Sequence, residues 1–253
     1  RADASYLIVG GLGALGFKTA QWLIEQGARH ILLAGRSINP VPAEIQQHIR
    51  QFAAQGITID CCAVDITNTA DVAQLFSRIA SQYPPLAGIV HSAGVLEDAV
   101  LEQQTHASLL RVLSTKLSGS WWLHKYSQHL PLDFFVLYSS SAGLLGSPGQ
   151  SNYAAANSFL DQLSVYRKSQ GLASFTINWG PWAGSGMATK VDRYSHRLEA
   201  IGLSGISDKV AREVFYRAIT PGQKISQLCC MNMQWEKYFT YLQNAGQDLS
   251  RGN

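Results

Sequence analysis

A phenol, an amide and a hydroxyl stand in one short block of this sequence at spacings that let them converge. Tyr153 and Asn157 are four residues apart, so on a helix they share one face. Ser140 closes an apolar run, Phe134 to Leu137, that predicts a buried strand, and it precedes Tyr153 by thirteen residues. A loop of small residues folds Ser140 back toward a helix that begins near Gln150. In an open α/β sheet the carboxyl ends of the strands bind ligands. Three polar groups gathered there suit proton transfer to an oxygen.

The elements that must position this block alternate along the chain. Strands are predicted at Tyr6–Val9, His30–Ala34, Ile57–Val64, Leu86–His91, from Phe134, at Ser174–Asn178 and at Ile225–Met231. Helices are predicted over Ala14–Gln26, Ala43–Gln55, Ala70–Gln82, Thr105–Gln128 and Gln150–Gln170, with Gly27 and Gly56 as stops. Such alternation means right-handed βαβ crossovers and an α/β fold of the Rossmann type: a doubly wound parallel sheet with helices on both faces. Pro181 to Ile206, rich in Gly, Ser and Trp, breaks the rhythm. It reads as a lid over the site or as a surface excursion.

Bulk properties exclude several classes. With 46% apolar and 15% charged residues, the 253-residue chain can bury a large core and is not disordered. A net charge of +3, evenly spread, gives no footprint for nucleic acid or a membrane surface. No apolar run approaches the roughly 18 residues of a membrane span, and no basic-then-apolar leader precedes the first strand. The adjacent pairs Cys61-Cys62 and Cys229-Cys230 lack metal-ligand spacing. They read as reduced core thiols, one member of each pair buried, and the expected compartment is cytoplasmic.

The run Gly10-Gly11-Leu12-Gly13-Ala14-Leu15-Gly16 falls between the first strand and the first helix, the context a dinucleotide-binding turn needs. Its glycines bring the backbone close to a pyrophosphate whose charge meets a helix N-terminus. After the second strand the chain reads Ala34-Gly35-Arg36-Ser37, with no carboxylate for a ribose 2′-hydroxyl. A guanidinium there suits a 2′-phosphate, so NADPH is the expected cofactor. Asp65 could receive the adenine amine or cap a helix. Ser92, Ala93 and Gly94 offer small residues where a ring must lie close to the backbone.

Together, the glycine turn, His91-Ser-Ala-Gly94, Lys116, the Ser140–Asn157 block and Asn178-Trp-Gly-Pro-Trp182 resemble the ketoreductase domains of modular polyketide synthases. These are members of the short-chain dehydrogenase/reductase superfamily. The resemblance runs from about Ser5 to Trp182, and more loosely to Trp235. The superfamily's usual Tyr-x-x-x-Lys is replaced here by Asn157 at the fourth position and a lysine at Lys116, the exchange this narrower family shows. Val9 departs from the threonine usual before the first glycine.

The resemblance implies NADPH-dependent reduction of a 3-ketoacyl thioester, carried on phosphopantetheine by an acyl carrier protein, to the 3-hydroxyacyl form. It assigns Tyr153 as proton donor, Ser140 as a hydrogen-bond donor to the ketone oxygen, Lys116 as the charge assisting the phenol, and Asn157 as the group positioning Lys116. Ile66 joins Asp65 among the implied cofactor contacts. Leu96 and Asp98 match a Leu-x-Asp signature, Leu145 replaces a tryptophan, and Pro148 and Asn152 fit the same B-type pattern, implying the 3R alcohol. Trp182 and Met187 are implied substrate contacts, and Asp98 has a solvated or capping role as its alternative. Residues 1–253 are expected to form one catalytic subdomain, with a lid about 181–206 and an upstream structural subdomain absent.

Two other functions stay open on the sequence: a free-standing reductase of a diffusible ketone, and a non-catalytic NADPH-binding brace within a megasynthase. His91 reads as a packed residue, His124 and His129 as surface residues, and Trp121, Trp122 and Trp179 as core or pocket wall.

Overall fold

Apolar runs bounded by glycine turns become strands that are covered on both sides. The computed structural model describes residues 1–183 and 198–250, with side chains to 244. The strands are β1 (Ser5–Val9), β2 (His30–Gly35), β3 (Thr58–Ala63), β4 (Leu86–His91), β5 (Phe134–Ser140), β6 (Phe175–Trp179), β7 (Leu203–Ser204), β8 (Gln227–Cys230) and β9 (Asn232–Met233). Seven form one sheet in the order β3-β2-β1-β4-β5-β6-β8, and every neighbouring pair is parallel. β7 and β9 make a small antiparallel pair apart from it. The order reverses between β1 and β4, which opens a crevice at their carboxyl ends.

The helices are α1 (Ala14–Glu25), α2 (Ala43–Ala53), α3 (Thr69–Gln82), α4 (His106–Ser127), α5 (Ala142–Leu145), α6 (Ser151–Ser169), α7 (Asp208–Ile219) and α8 (Trp235–Ser250). Alternate β1 residues feed two cores. Tyr6 and Ile8 pack with Phe17, Leu23 and Ile45 of α1 and α2 and with Phe215 of α7. Leu7 and Val9 pack with Val72, Leu75 and Ile79 of α3, Leu123 of α4 and Leu160 of α6. Each large buried aliphatic chain contributes roughly 1.5–3 kcal/mol. Exposed ion pairs such as Lys18–Asp208 are worth about 0–1 kcal/mol, so the two cores hold the frame.

Local signals set the helix ends. Asn68 caps α3 by accepting from the Ala70 amide at 2.9 Å. Thr105 and Ser108 form a reciprocal capping box on α4. Gly27 closes α1 at φ +96°, where a glycine adds no steric cost.

Three features differ from the sequence reading. The loop after β5 contains the short helix α5, and helices α7 and α8 follow the segment where the rhythm breaks. His124 is not a surface residue: it is 3% exposed, wedged beside Trp121 and Tyr166, and its Nδ1 lies 3.1 Å from Arg167 Nη1. Helix α4 is packed against both α3 and α6, so its polar faces are covered as well. His129 is exposed, as expected. Cys62 and Cys230 are buried, Cys61 and Cys229 partly so, and all four thiols are free. Among the described residues no helix is long and apolar enough to cross a membrane.

Candidate active site

The glycine turn is shaped by contacts that leave no room for side chains. Gly10 adopts φ +80°, and a Cβ there would lie 2.7 Å from the Ala93 amide nitrogen. A Cβ on Gly16 would meet the Gly10 carbonyl oxygen at 2.2 Å. Gly11 is closed in by Leu33 and the Ile8 carbonyl, and Gly13 sits at the N-cap of α1 with no side chain claiming its first amides. Ser92 ties the ends of β4 and β1 together by donating to the Val9 carbonyl at 2.9 Å. This cradle of backbone at a helix N-terminus fits a pyrophosphate.

The other residues proposed for the cofactor spread along the same edge. Arg36 and Ser37 follow β2 and are exposed. Asp65 does not cap α3; its carboxylate accepts from the amide and hydroxyl of Thr67 in a local turn. Ile66 is buried against Gly119 of α4. Leu12 packs on the first core, while Leu15, Ser92 and Gly94 line a cavity of about 410 Å³.

That cavity also gathers Lys116 from α4, Ser140 from β5 and Tyr153 from α6. The Lys116 ammonium lies 5.9 Å from the centroid of the Tyr153 ring and donates to the Tyr138 carbonyl at 2.8 Å. Lys116 is 3% exposed; burial pushes its pKa down to about 7, and the charge of Asp161 opposes that fall. Asn157, one turn beyond Tyr153, donates to the Tyr153 carbonyl at 2.8 Å, and its buried Oδ1 has no partner among the described residues. Ser140 Oγ accepts from the Ala142 amide at 3.2 Å, which orients the hydroxyl at the start of α5. His91 is packed as expected, with Nε2 3.2 Å from the Thr115 carbonyl. Burial and the neighbouring Lys116 lower its pKa to about 3.

Of the residues proposed for substrate and stereocontrol, Leu96, Leu145, Pro148 and Trp182 line the cavity. Trp182 is also a core residue, stacked on Trp22 and set edge-on to Trp179. Asp98 and Asn152 do not line the cavity: Asp98 is exposed and Asn152 is buried. Asn152 donates to the Glu97 carbonyl at 2.9 Å, and Asp98 accepts from Gln150 Nε2 at 2.9 Å. Met187 and most of the expected lid lie outside the described residues.

Several cavity residues escaped the sequence reading. Gln150 is 2% exposed and couples the Asp98 segment to the first turn of the Tyr153 helix. Tyr238, Tyr241 and Leu242 of α8 and Ile201 and Leu203 near β7 close another side. Gln150 stands three residues before Tyr153, a helical spacing that could have flagged it. The apolar positions of α8 show helical periodicity, but nothing in the sequence says where that helix docks.

A doubly wound parallel sheet with a glycine turn after β1 and a Ser–Tyr pair beyond its switch point defines the short-chain dehydrogenase/reductase class. Within that class the chain belongs to the ketoreductase domains of polyketide synthases, since the KR domain family matches residues 4–184. It is 40% identical over 218 residues to the mellein synthase of Phaeosphaeria nodorum, covering 81% of this chain and 12% of that protein. Among solved structures it is similar to the ketoreductase from the first module of phoslactomycin biosynthesis in Streptomyces sp. HK803. The TM-score is 0.87 at 31% identity, over 94% of this chain and 55% of the other. A structure of A-type ketoreductases from a modular polyketide synthase gives a TM-score of 0.86 at 31% identity, over 93% of this chain and 49% of the other. The chain thus spans about a tenth of that curated relative and about half of those solved chains.

Proposed function

We propose that this chain is the catalytic subdomain, residues 1–253, that reduces a 3-ketoacyl thioester to the 3-hydroxyacyl thioester with NADPH during polyketide elongation. The observation that carries this reading is the buried Lys116 ammonium set against the Tyr153 ring in the cavity that also holds Ser140. NADPH, when bound, supplies the hydride to the ketone carbon. Gly10, Gly11, Leu12, Gly13, Leu15 and Gly16 would hold its pyrophosphate side, Arg36 and Ser37 its 2′-phosphate, Asp65 and Ile66 its adenine side, and Ser92, Ala93 and Gly94 its ring.

Tyr153 donates its phenolic proton to the ketone oxygen as negative charge builds there, and Ser140 donates a hydrogen bond to the same oxygen. A phenol with a pKa near 10 gives up that proton more readily beside a cation, which is the work of Lys116. Asn157 positions Lys116 within the relay that replaces the proton. The substrate arrives on the phosphopantetheine arm of an acyl carrier protein, and the neighbours are other synthase domains, including an upstream structural subdomain. Neither nucleic acid nor membrane takes part, and the compartment is cytoplasmic.

The reading includes B-type stereocontrol. Leu96 lines the cavity, and the bond from Gln150 to Asp98 ties that segment to the turn preceding Tyr153. With Leu145, Pro148 and Asn152 it presents one face of the ketone. Turnover of 3-ketoacyl pantetheine thioesters should exceed that of simple ketones and yield the 3R alcohol by chiral chromatography. A predominantly 3S product removes the B-type assignment, and equal rates on simple ketones remove the carrier-bound substrate.

The cofactor choice has its own test. Arg36→Ala should weaken NADPH binding by about ten- to a hundredfold, the loss of a charge-assisted pair. NADH binding should change less than about twofold. Fluorescence titration with each nucleotide reads the difference, and equal weakening of both contradicts the phosphate role.

A further inference from the structure

Beneath the cavity lies a buried carboxylate that the proposed chemistry does not use. Tyr153, Asn157 and Asp161 stand one turn apart on a single face of α6, and Asp161 is 4% exposed. Its two oxygens accept from Asn178 Nδ2 at 3.1 and 2.9 Å. Asn178 is oriented in turn by Gln227 of β8, whose Nε2 donates to its Oδ1 at 2.8 Å. The same Asn178 amide reaches Ser139 Oγ at 3.1 Å and the Ser140 carbonyl at 3.2 Å, and Ser139 Oγ donates to the Asn157 carbonyl at 3.2 Å. One polar knot therefore joins β5, β6, β8 and α6 directly under Ser140 and Asn157.

A carboxylate removed from water is costly unless an opposite charge shares its surroundings. Asp161 forms no ion pair among the described residues, so its hydrogen bonds come from neutral donors. Burial pushes the Asp161 carboxyl above its ordinary range, opposed first by its hydrogen bonds from Asn178 and Ser139 and then by the charge of Lys116 of α4, equally buried and packed across from α6. The other titratable groups around the two are His91 on β4, Tyr138 on β5, Tyr153 on α6 and Cys229 on β8. His91 and Cys229 are held in their neutral forms by burial, so neither supplies the missing counter-charge. We propose that Asp161, clamped by Asn178, is a positioning residue: it is the counter-charge that keeps Lys116 protonated and seated against the Tyr138 carbonyl beside Tyr153. This rests on the reading of Lys116 as the cation that assists the phenol.

Asp161→Asn keeps the shape of the side chain and removes its charge. Two measurements on the full chain decide its role. The first is the titration of the Lys116 ε-carbon by ¹³C NMR, the resonance being identified by its disappearance in Lys116→Met. Its midpoint should fall by about one pH unit or more in Asp161→Asn. The second is the pH profile of kcat on a 3-ketoacyl pantetheine thioester. The alkaline limb should move to lower pH, leaving the rate within about twofold near pH 6 and about tenfold lower near pH 8. A loss that is uniform across pH, or an unchanged lysine midpoint, overturns the proposal. If Asp161→Asn does not fold, Asn178→Ser removes the clamp instead and should shift both readouts in the same direction by a smaller amount. Failure of the parent to reduce any thioester would sink the proposed reaction, while the lysine titration would still decide the pairing.

Discussion

Tyr153→Phe should lower kcat by about 10²–10⁴-fold, the usual contribution of a positioned general acid, and leave NADPH affinity within about twofold. The phenylalanine ring keeps the packing of the first turns of α6 and the surface that Lys116 faces at 5.9 Å. What disappears is the proton donor beside the developing oxyanion. Ser140 still offers a hydrogen bond, but an aliphatic alcohol is a far weaker acid than a phenol. Equilibrium binding followed by single-turnover kinetics separates the two effects. A variant that turns over as fast as the parent would remove Tyr153 from the chemistry.

Lys116→Met should cost about 10²–10³-fold in kcat and remove a pH dependence of stability. Burial moves the lysine pKa from its ordinary value of 10.5 down to about 7 in the folded chain. Between those values the unfolded chain binds more protons than the folded one, so the parent gains stability as pH rises through that window. Below about 7 the lysine is charged in both states and the burial penalty is felt in full. A methionine carries no such penalty at any pH. The difference in unfolding free energy should therefore shift in the parent's favour by roughly 3 kcal/mol between about pH 6 and pH 9.5. Urea unfolding at the two pH values measures it. A difference that stays constant would mean that the ammonium is not desolvated.

The sheet was legible because strands buried on both faces are written as short apolar runs, and the runs at Tyr6, His30, Leu86 and Phe134 leave little ambiguity. Helices α7 and α8 were not read, since they follow the segment where the strand–helix rhythm fails. Tyr153 and Asn157 declare themselves because local helix spacing puts them together. Lys116 does not: a lone lysine on a helix normally reaches water, and only the docking of α4 on α6 buries this one. Asp161 was missed for the same reason, although it continues the Tyr153–Asn157 face. His124 was misplaced because α4 carries polar residues all round, and periodicity does not reveal that a neighbouring helix covers them. The α8 wall of the cavity, Tyr238 and Tyr241, depends on tertiary docking alone.

The proposed reaction requires hydride and proton to reach the same carbonyl in this cavity. A single-turnover experiment mixing the NADPH-loaded chain with a 3-ketoacyl pantetheine thioester, followed at about 340 nm, tests it most directly. Absorbance should fall in step with formation of the 3-hydroxyacyl thioester, and the fall should be about 10²–10⁴-fold slower in Tyr153→Phe. Tight binding of NADPH with no loss of absorbance would make the chain a nucleotide-binding module and contradict the reaction proposed for it.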